Sequence, residues 1–133
     1  MSTATLDELL VTRRLIVEPK ASLDLPGGQV LTVLRVELAP GTVEPPHTHP
    51  GVEILYGVAG RGEVELGGQT RLPVGPGDVL RIDRGHVKSL RNLGDAPFTL
   101  LAVLVLVLDA DKPPLLPAPG AETPRRPEEQ SDD

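Results

Sequence analysis

The chain has 133 residues, a formal net charge of −6 and no cysteine. This length supports one domain with a single hydrophobic core. Without cysteine, the chain has no disulfides, no thiol catalysis and no cysteine-ligated zinc, so histidine and carboxylate side chains are its only strong metal ligands. Basic residues are scattered and aromatic residues make up 2% of the chain, so we expect neither a phosphate-binding stripe nor a stacking platform for nucleic acid.

The first 29 residues are predicted to form an N-terminal arm. Between Thr5 and Val17 the sequence favours a short helix, with leucines at helical spacing after the candidate caps Thr5 and Asp7, followed by an extended segment. The acidic start does not resemble a secretion signal. The longest apolar run, 98–108, is far shorter than the ~20 residues of a membrane helix. We therefore expect a cytoplasmic protein that does not bind a membrane.

Residues 30–110 are predicted to form a barrel of short antiparallel strands. Runs with strand composition are separated by glycine, proline and asparagine turn signals. The runs are 30–38, 52–58, 62–66, 79–82, 87–90 and 98–108. In the first run, the even-numbered residues from Leu34 onward are apolar and the odd-numbered ones polar, which predicts one buried face. In the last run nearly every residue is apolar, which predicts a strand covered on both sides, with a second subunit as one candidate cover.

Residues 111–133 are predicted to form a disordered tail rich in proline and acidic residues. Six prolines fall between Pro113 and Pro127, and the segment has six acidic residues against three basic ones. Such a composition cannot bury enough apolar surface to fold. We expect a solvated linker, and a docking role is the alternative.

Two histidines and a glutamate lie close together in residues 41–60. In an extended segment His47 and His49 project to the same side, about 7 Å apart. The prolines and the glycine around them let the chain bend, so that Glu53 approaches from the next segment. Two imidazoles and one carboxylate suit Fe(II), Mn, Ni or Zn and leave coordination positions open. The alternative is that the histidines bond to the backbone and Glu53 is a solvated charge.

The same stretch reads G-x5-H-x-H-x3-E-x6-G, which resembles the first motif of the cupin family at all five fixed positions. The segment from Gly77 to Asn92 resembles the second motif, G-x5-P-x-G-x2-H-x3-N, with two departures. Asp83 stands in place of the proline, and Lys88 stands where the family has its third metal-binding histidine. The resemblance covers about residues 30 to 108. It implies an all-β double-stranded β-helix, or jelly roll, with a metal inside one end of the barrel, and it implies a homodimer.

Three interpretations of Lys88 are open. In the first, Lys88 points inward beside a three-ligand metal and acts as a base, a weak ligand or an anchor for an anionic substrate. In the second, His86 supplies the third nitrogen and Lys88 turns to solvent. In the third, no metal is bound, and Lys88 forms a polar network with the first motif in a binding cavity. For His86 the alternative is a hydrogen bond in the turn after Gly85.

Two further residues near this site receive lesser roles. Glu44 differs in parity from the two histidines, so it is expected to be a solvated turn residue. Tyr56 is expected to form part of the pocket wall, where its hydroxyl is a candidate donor.

The sequence leaves three classes of function open, because one fold carries many chemistries. The first is a metal-dependent enzyme, either an Fe(II) oxygenase or an isomerase, lyase or cyclase in which the metal polarises a carbonyl and Lys88 or His86 moves a proton. The second is a protein that binds or senses a small molecule without turnover. The third is a metal-free structural dimer with the acidic tail as its interaction arm.

Overall fold

The structure, a computed structural model, describes residues 4–107 and 116–117. In this part of the chain one short helix is followed by ten β-strands. Their bounds are α1 Leu6–Val11, β1 Leu15–Leu25, β2 Gln29–Leu38, β3 His47–Thr48, β4 Gly51–Ala59, β5 Gly62–Leu66, β6 Thr70–Val74, β7 Val79–Ile82, β8 Lys88–Arg91, β9 Phe98–Val107 and β10 Leu116–Pro117.

The strands form two five-stranded sheets. The first sheet has the order β1-β2-β9-β4-β7, and the second has the order β10-β3-β8-β5-β6. Buried side chains from both sheets, such as Leu55 of the first and Leu90 of the second, belong to one hydrophobic core. This architecture is the double-stranded β-helix that the sequence predicted.

Alternation along the central strand explains how the core forms. In β9 the even-numbered residues from Phe98 to Leu106 are buried, while Leu101, Val103 and Val105 on the opposite face are only half-buried in a single chain. In β2 the predicted buried face is confirmed, because Val36 and Leu38 lie in the core. The inner faces of the two sheets are therefore apolar enough to pack together.

All six predicted strands are present, and their ends within the described residues agree to within one residue; the predicted end of the last run, at residue 108, lies outside the described residues. The sequence did not indicate β6, an edge strand that contains Pro73; an edge strand tolerates proline because one side of it needs no ladder hydrogen bonds. It also did not indicate the two-residue strand β3. The strand β1 lies within the predicted N-terminal arm and pairs with β2 along its whole length.

The helix α1 starts where the sequence predicted. The backbone N–H of Glu8 donates to the Thr5 hydroxyl (3.1 Å), and the N–H of Thr5 donates to the Glu8 carboxylate (2.7 Å), which completes a capping box. These bonds from Thr5 lower the pKa of Glu8 below its ordinary value. Because Leu9 is buried in the core, α1 is held against the barrel.

Two motif residues serve the backbone. Gly60 has a φ of +72°, and a Cβ there would lie 2.0 Å from the carbonyl oxygen of Pro97, so a larger residue does not fit. Asn92 is fully buried, and its Nδ2 donates to the carbonyls of Leu38 (3.0 Å) and Ala96 (2.8 Å). Its Oδ1 accepts a further backbone N–H. These two positions therefore hold turns in place.

The structure describes only Leu116–Pro117 of the predicted tail. Leu116 pairs with Thr48 and Pro117 pairs with His47, which makes β10 an edge strand next to β3. The rest of the predicted tail lies outside the described residues. Within residues 4–107 and 116–117, no helix is long and apolar enough to cross a membrane.

Candidate functional site

A cavity of about 400 Å³ is lined by residues of both sheets and of α1. Nineteen residues line it, and twelve of these are leucine, valine or alanine, so most of its wall is apolar. Its charged and imidazole side chains come from Glu44, His47, His49, Glu53 and Lys88. The remaining lining residues are Ser22 and Thr32.

The two histidines lie side by side in the cavity wall. Their ring centroids are 5.0 Å apart, and the ring planes are nearly perpendicular (84°). This agrees with the alternation of an extended segment, in which residues two apart share a face. His47 belongs to β3 and is 6% exposed, so its imidazole is almost completely removed from bulk water.

Backbone contacts orient the His47 ring. Its Nδ1 lies 3.0 Å from the carbonyl oxygen of Pro45, and a carbonyl only accepts, so Nδ1 carries the hydrogen and donates it. In the neutral ring, Nε2 is then left with a lone pair. A backbone carbonyl that fixes one ring nitrogen in this way is also the usual support of a metal-binding histidine.

Glu44 also belongs to the cavity, which corrects the expectation that it is solvated. Its side chain is 8% exposed, its Oε1 accepts the N–H of Leu90 at 3.2 Å, and it lies 3.6 Å from Nδ1 of His47. The backbone N–H of Glu44 also donates to the carbonyl of Leu90 (2.8 Å). This double attachment to β8 turns the carboxylate inward. Parity gave the wrong answer because residue 44 precedes β3 and is not part of a continuous strand with it.

Glu53 and Lys88 form a buried ion pair across the cavity. The Nζ of Lys88 lies 2.9 Å from Oε1 of Glu53 and donates a hydrogen bond to Oε2 at 3.2 Å. Oε1 is buried and accepts no hydrogen bond of favourable geometry in the described residues, although the ammonium is close to it. The ammonium thus lies beside both carboxylate oxygens. Lys88 points inward, so the interpretation that turned it to solvent is wrong.

The remaining contacts join these groups into one cluster. Nε2 of His49 lies 3.8 Å from Oε2 of Glu53, the oxygen that Lys88 also contacts. His47 and Lys88 face each other as register partners of β3 and β8. His47, His49, Glu53 and Lys88, which the third interpretation joined in a polar network, therefore meet at one end of the cavity.

As arranged, these residues do not form a metal site. Among residues 4–107 and 116–117, no three histidine, aspartate or glutamate side chains are grouped so that they could hold one ion. Both oxygens of Glu53 lie close to the ammonium of Lys88, which would repel a divalent cation bound there. Metal binding at His47, His49 and Glu53 therefore requires Lys88 to move away from Glu53.

The structure places His86 outside the cavity. It is exposed, its N–H donates to the carbonyl of Asp83 at 3.3 Å, and it does not line the cavity wall. The preceding Gly85 has a φ of +80°, and β8 begins only at Lys88, so His86 is still part of the turn. His86 therefore supplies no third nitrogen in this structure.

Sequence reasoning also misplaced or missed parts of the wall. Tyr56 is 43% exposed on the outer face of β4, because its parity is opposite to that of Glu53. Leu6 and Leu10 of α1 line the cavity, as do Ser22 and Thr32. No pattern in the sequence could place Leu6, Leu10 and Ser22 in the wall, because their contribution depends on how α1 and β1 pack on the barrel. Thr32 has the parity of the buried face of β2, and this signal could have placed it there.

The fold and the site define a single small jelly-roll barrel with an internal cavity of ligand size and a polar cluster at one end. The family model described as "Cupin domain" matches residues 34–104. The chain belongs to the cupin family.

Individual relatives show the same likeness at moderate identity. The chain is 37% identical over 115 residues to Germin-like protein 5-1 of Oryza sativa, which covers 74% of this chain and 48% of that protein. It is 29% identical to the crystal structure of the DMSP lyase DddQ from Ruegeria pomeroyi, with a TM-score of 0.62 over 84% of this chain and 55% of that one. It is 27% identical to a Cupin 2 conserved barrel domain protein from Salinispora arenicola, with a TM-score of 0.57 over 72% and 76% of the two chains. The chain spans about half the length of the rice relative.

Proposed function

We propose that this protein binds an uncharged, largely apolar small molecule in the cavity, with an oxygen atom of the ligand next to Lys88. The observation that carries the proposal is the buried Glu53–Lys88 ion pair at one end of a cavity whose wall is mostly apolar. An ammonium group has three N–H donors, and the two oxygens of Glu53 account for at most two of them. The remaining donor is available to a carbonyl or hydroxyl oxygen of a ligand.

The size and lining of the cavity suit such a ligand. Its volume of about 400 Å³ falls within the ~300–1,000 Å³ typical of small-molecule sites. Burial of apolar surface contributes about 25 cal/mol per Å² before the costs of binding are subtracted, so the leucine and valine walls supply most of the affinity. The polar cluster then determines which end of the ligand enters first.

The charges of the cluster favour an uncharged group at that end. With both imidazoles counted as neutral, the two carboxylates of Glu44 and Glu53 and the one ammonium of Lys88 give the cluster a formal charge of −1. A carboxylate ligand would add a second uncompensated negative charge in a buried site, which is costly. A ketone, aldehyde or hydroxyl oxygen adds none.

Two probes of equal length test this proposal: methyl hexyl ketone and octanoate. We expect the ketone to bind in the presence of a chelator, with amide shifts in β4, β8 and β9 observed by NMR. Octanoate should bind at least tenfold more weakly. If octanoate binds as tightly as the ketone, or if neither probe binds, the proposal is wrong.

A matched pair of double variants localises the binding. Lys88→Met/Glu53→Gln replaces the buried ion pair by uncharged side chains of similar size. Lys20→Met/Glu18→Gln makes the same change at an exposed pair on β1, whose Nζ and Oε1 are 3.7 Å apart. Only the first double variant should weaken ketone binding, because only it removes the proposed donor. Equal effects of the two variants would count against the assignment of Lys88.

A metal-dependent enzyme is the second candidate, and the orientation of His47 favours it. The Nδ1 contact with Pro45 leaves Nε2 ready to bind a cation. His47, His49 and Glu53 would hold Fe, Mn, Ni or Zn, and the bound metal would polarise a ligand oxygen. Lys88, released from Glu53, would then anchor the substrate or move a proton. The likeness to a DMSP lyase supports the enzymatic part of this candidate at the level of the family.

Metal analysis of protein purified without added metal separates the two candidates. A divalent ion changes the formal charge of the cluster from −1 to +1, so metal-loaded protein should prefer octanoate to the ketone. Stoichiometric metal together with this reversed preference would favour the second candidate. Metal-free protein that prefers the ketone would favour the first.

We also propose that the chain forms a homodimer through the outer face of the first sheet. Val103 of β9 lies between Val33 of β2 and Ile54 of β4 in the strand register, and all three face outward. Ile54 and Tyr56 are more than 40% exposed in the single chain. An apolar outer face of this kind marks an interaction surface, and a second copy of the same sheet would cover it.

A further inference from the structure

We infer that the cavity contains a second polar subsite, formed by the hydroxyl groups of Ser22 and Thr32, which binds a second polar group at the far end of an elongated ligand. This inference rests on the proposed function, because it assigns the other end of the molecule that Lys88 holds. The proposed function requires an apolar molecule with one oxygen atom, and the second subsite narrows this class to molecules with an oxygen atom at each end.

The strand register places the subsite at a defined distance from the charged cluster. Glu53 pairs with Leu104, Leu104 pairs with Thr32, and Thr32 pairs with Ser22, so these residues form one row across the first sheet. All four line the cavity. Adjacent strands are ~4.8 Å apart, which places Thr32 about 10 Å and Ser22 about 14 Å from Glu53 along the row.

Solvent exposure increases towards the Ser22 end of this row. Glu53 and Leu104 are each 2% exposed, Thr32 is half-buried and Ser22 is exposed. The row therefore runs from the enclosed end of the cavity to its open rim. A ligand that lies along it would have its middle against Leu104 and its far end at the hydroxyl groups.

The hydroxyl groups are available to a ligand. Neither forms a hydrogen bond with any residue in the ranges 4–107 and 116–117. The cavity-lining neighbours of Thr32 along β2 are Val30 and Leu34, which have no polar side-chain atom. Ser22 and Thr32 are direct cross-strand partners, so their Cβ atoms are about 5 Å apart and one ligand oxygen can reach both.

The chemistry of the two ends defines the ligand class. Serine and threonine hydroxyls both donate and accept, so the rim favours an uncharged group that does the same, such as an alcohol. Among the described residues that line the cavity, the charged side chains are those of Glu44, Glu53 and Lys88 in the cluster at the other end, so the wall at the rim has no charged side chain of its own. The ligand is thus an uncharged chain or ring system with an apolar middle, a carbonyl or hydroxyl oxygen at the deep end and a hydroxyl about 10 Å away.

Two probes that differ only at the far end test this assignment. They are methyl hexyl ketone and the same ketone with a hydroxyl group on its terminal carbon. We compare the ratio of their dissociation constants, measured by NMR titration, in the wild type and in Thr32→Val/Ser22→Ala. Valine has nearly the shape of threonine and a high strand propensity, so the variant is expected to keep its fold. Thr70→Val is the matched control, because Thr70 is an exposed strand residue outside the cavity wall.

In Thr32→Val/Ser22→Ala we expect the ratio of the two dissociation constants to change by about three- to tenfold. The change should come from weaker binding of the hydroxyketone, with ketone binding unchanged. Thr70→Val should leave the ratio as in the wild type. If both probes bind the wild type and the double variant leaves their ratio unchanged, the rim subsite is rejected while the proposed function stands. If neither probe binds the wild type, the proposed function fails and the subsite fails with it.

Discussion

The ammonium of Lys88 reaches from β8 in the second sheet to the carboxylate of Glu53 on β4 in the first, with Nζ 2.9 Å from Oε1. Both side chains are less than 5% exposed, so the pair connects the two sheets within the barrel. Each charge is compensated mainly by the other, since water cannot reach either side chain freely. This dependence makes the pair sensitive to the loss of one partner.

Removal of one partner should cost far more than removal of both. Lys88→Met leaves the carboxylate of Glu53 buried without its cation, and we expect a loss of ~3–5 kcal/mol in the free energy of unfolding. Lys88→Met/Glu53→Gln should recover most of that loss, because no unpaired charge remains. Urea unfolding measures both values. For the exposed Lys20–Glu18 pair, the same single change should cost less than ~1 kcal/mol. Additive effects at the buried pair would contradict this prediction.

Restoring a histidine at position 88 should strengthen metal binding. Lys88→His removes a cation from the neighbourhood of Glu53 and adds a neutral nitrogen donor, so we expect affinity for a divalent ion to rise at least tenfold, ~1.4 kcal/mol, in a direct titration. Lys88→Met removes the charge without adding a ligand and should give only part of the gain. If neither substitution changes the affinity, Lys88 does not limit metal binding at this site. If both abolish a measured activity at constant metal content, Lys88 acts as an acid, a base or a substrate anchor.

Two truncations test the contribution of the tail, which as a solvated linker is expected to add nothing to stability. Truncation after Pro117 removes residues 118–133 and should leave the melting temperature unchanged. Truncation after Asp111 also removes β10, which pairs with Thr48 and His47. Because only a two-residue pairing is lost, we expect a decrease of at most a few degrees, with faster amide exchange in β3. A large decrease after the first truncation would show that the remaining tail stabilises the barrel.

A charge at the centre of the outer face should prevent the proposed dimer. Val103→Lys places an ammonium between Val33 and Ile54, where it would have to be buried in the interface. Sedimentation equilibrium should then detect monomers, whereas the wild type sediments as a dimer. Leu93→Lys is the control, because Leu93 is 57% exposed in a loop outside the sheets. A monomeric wild type would contradict the proposal directly.

Much of the fold was predictable because each strand carries a pattern that local chemistry explains. The alternation of β2 and the apolar run of β9 predicted their bounds to within one residue. The strand β6 was not predicted because Pro73 is a poor strand residue. A strand tolerates this proline only when it lies at the edge of the sheet, as β6 does. Edge positions are a property of the assembled sheet and leave no mark in a short stretch of sequence.

The candidate site was predictable to a smaller extent. Spacing placed His47 and His49 on one side, and the expected bend brought Glu53 towards them. Three interpretations of Lys88 stayed open; the third joined it to the first motif in a polar network, but the sequence could not select among them. Glu44 was missed because its inward orientation depends on hydrogen bonds to Leu90, 46 residues later in the chain. Contacts between residues so far apart in sequence cannot be predicted from local patterns, because they form only when the two sheets pack together.

The second motif contains one residue that holds the backbone, Asn92, and one that faces the cavity, Lys88. The Asn92 amide satisfies three backbone groups, one at the end of β2 and two in the loop after β8, and the fold needs this whatever chemistry the barrel contains. Lys88 lies four residues earlier, at the start of β8, and makes no contribution to that turn. The scaffold can therefore stay constant while position 88 changes between a metal ligand and a fixed cation. A substitution at position 88 therefore changes the charge inside the cavity without touching the hydrogen bonds by which Asn92 holds the backbone.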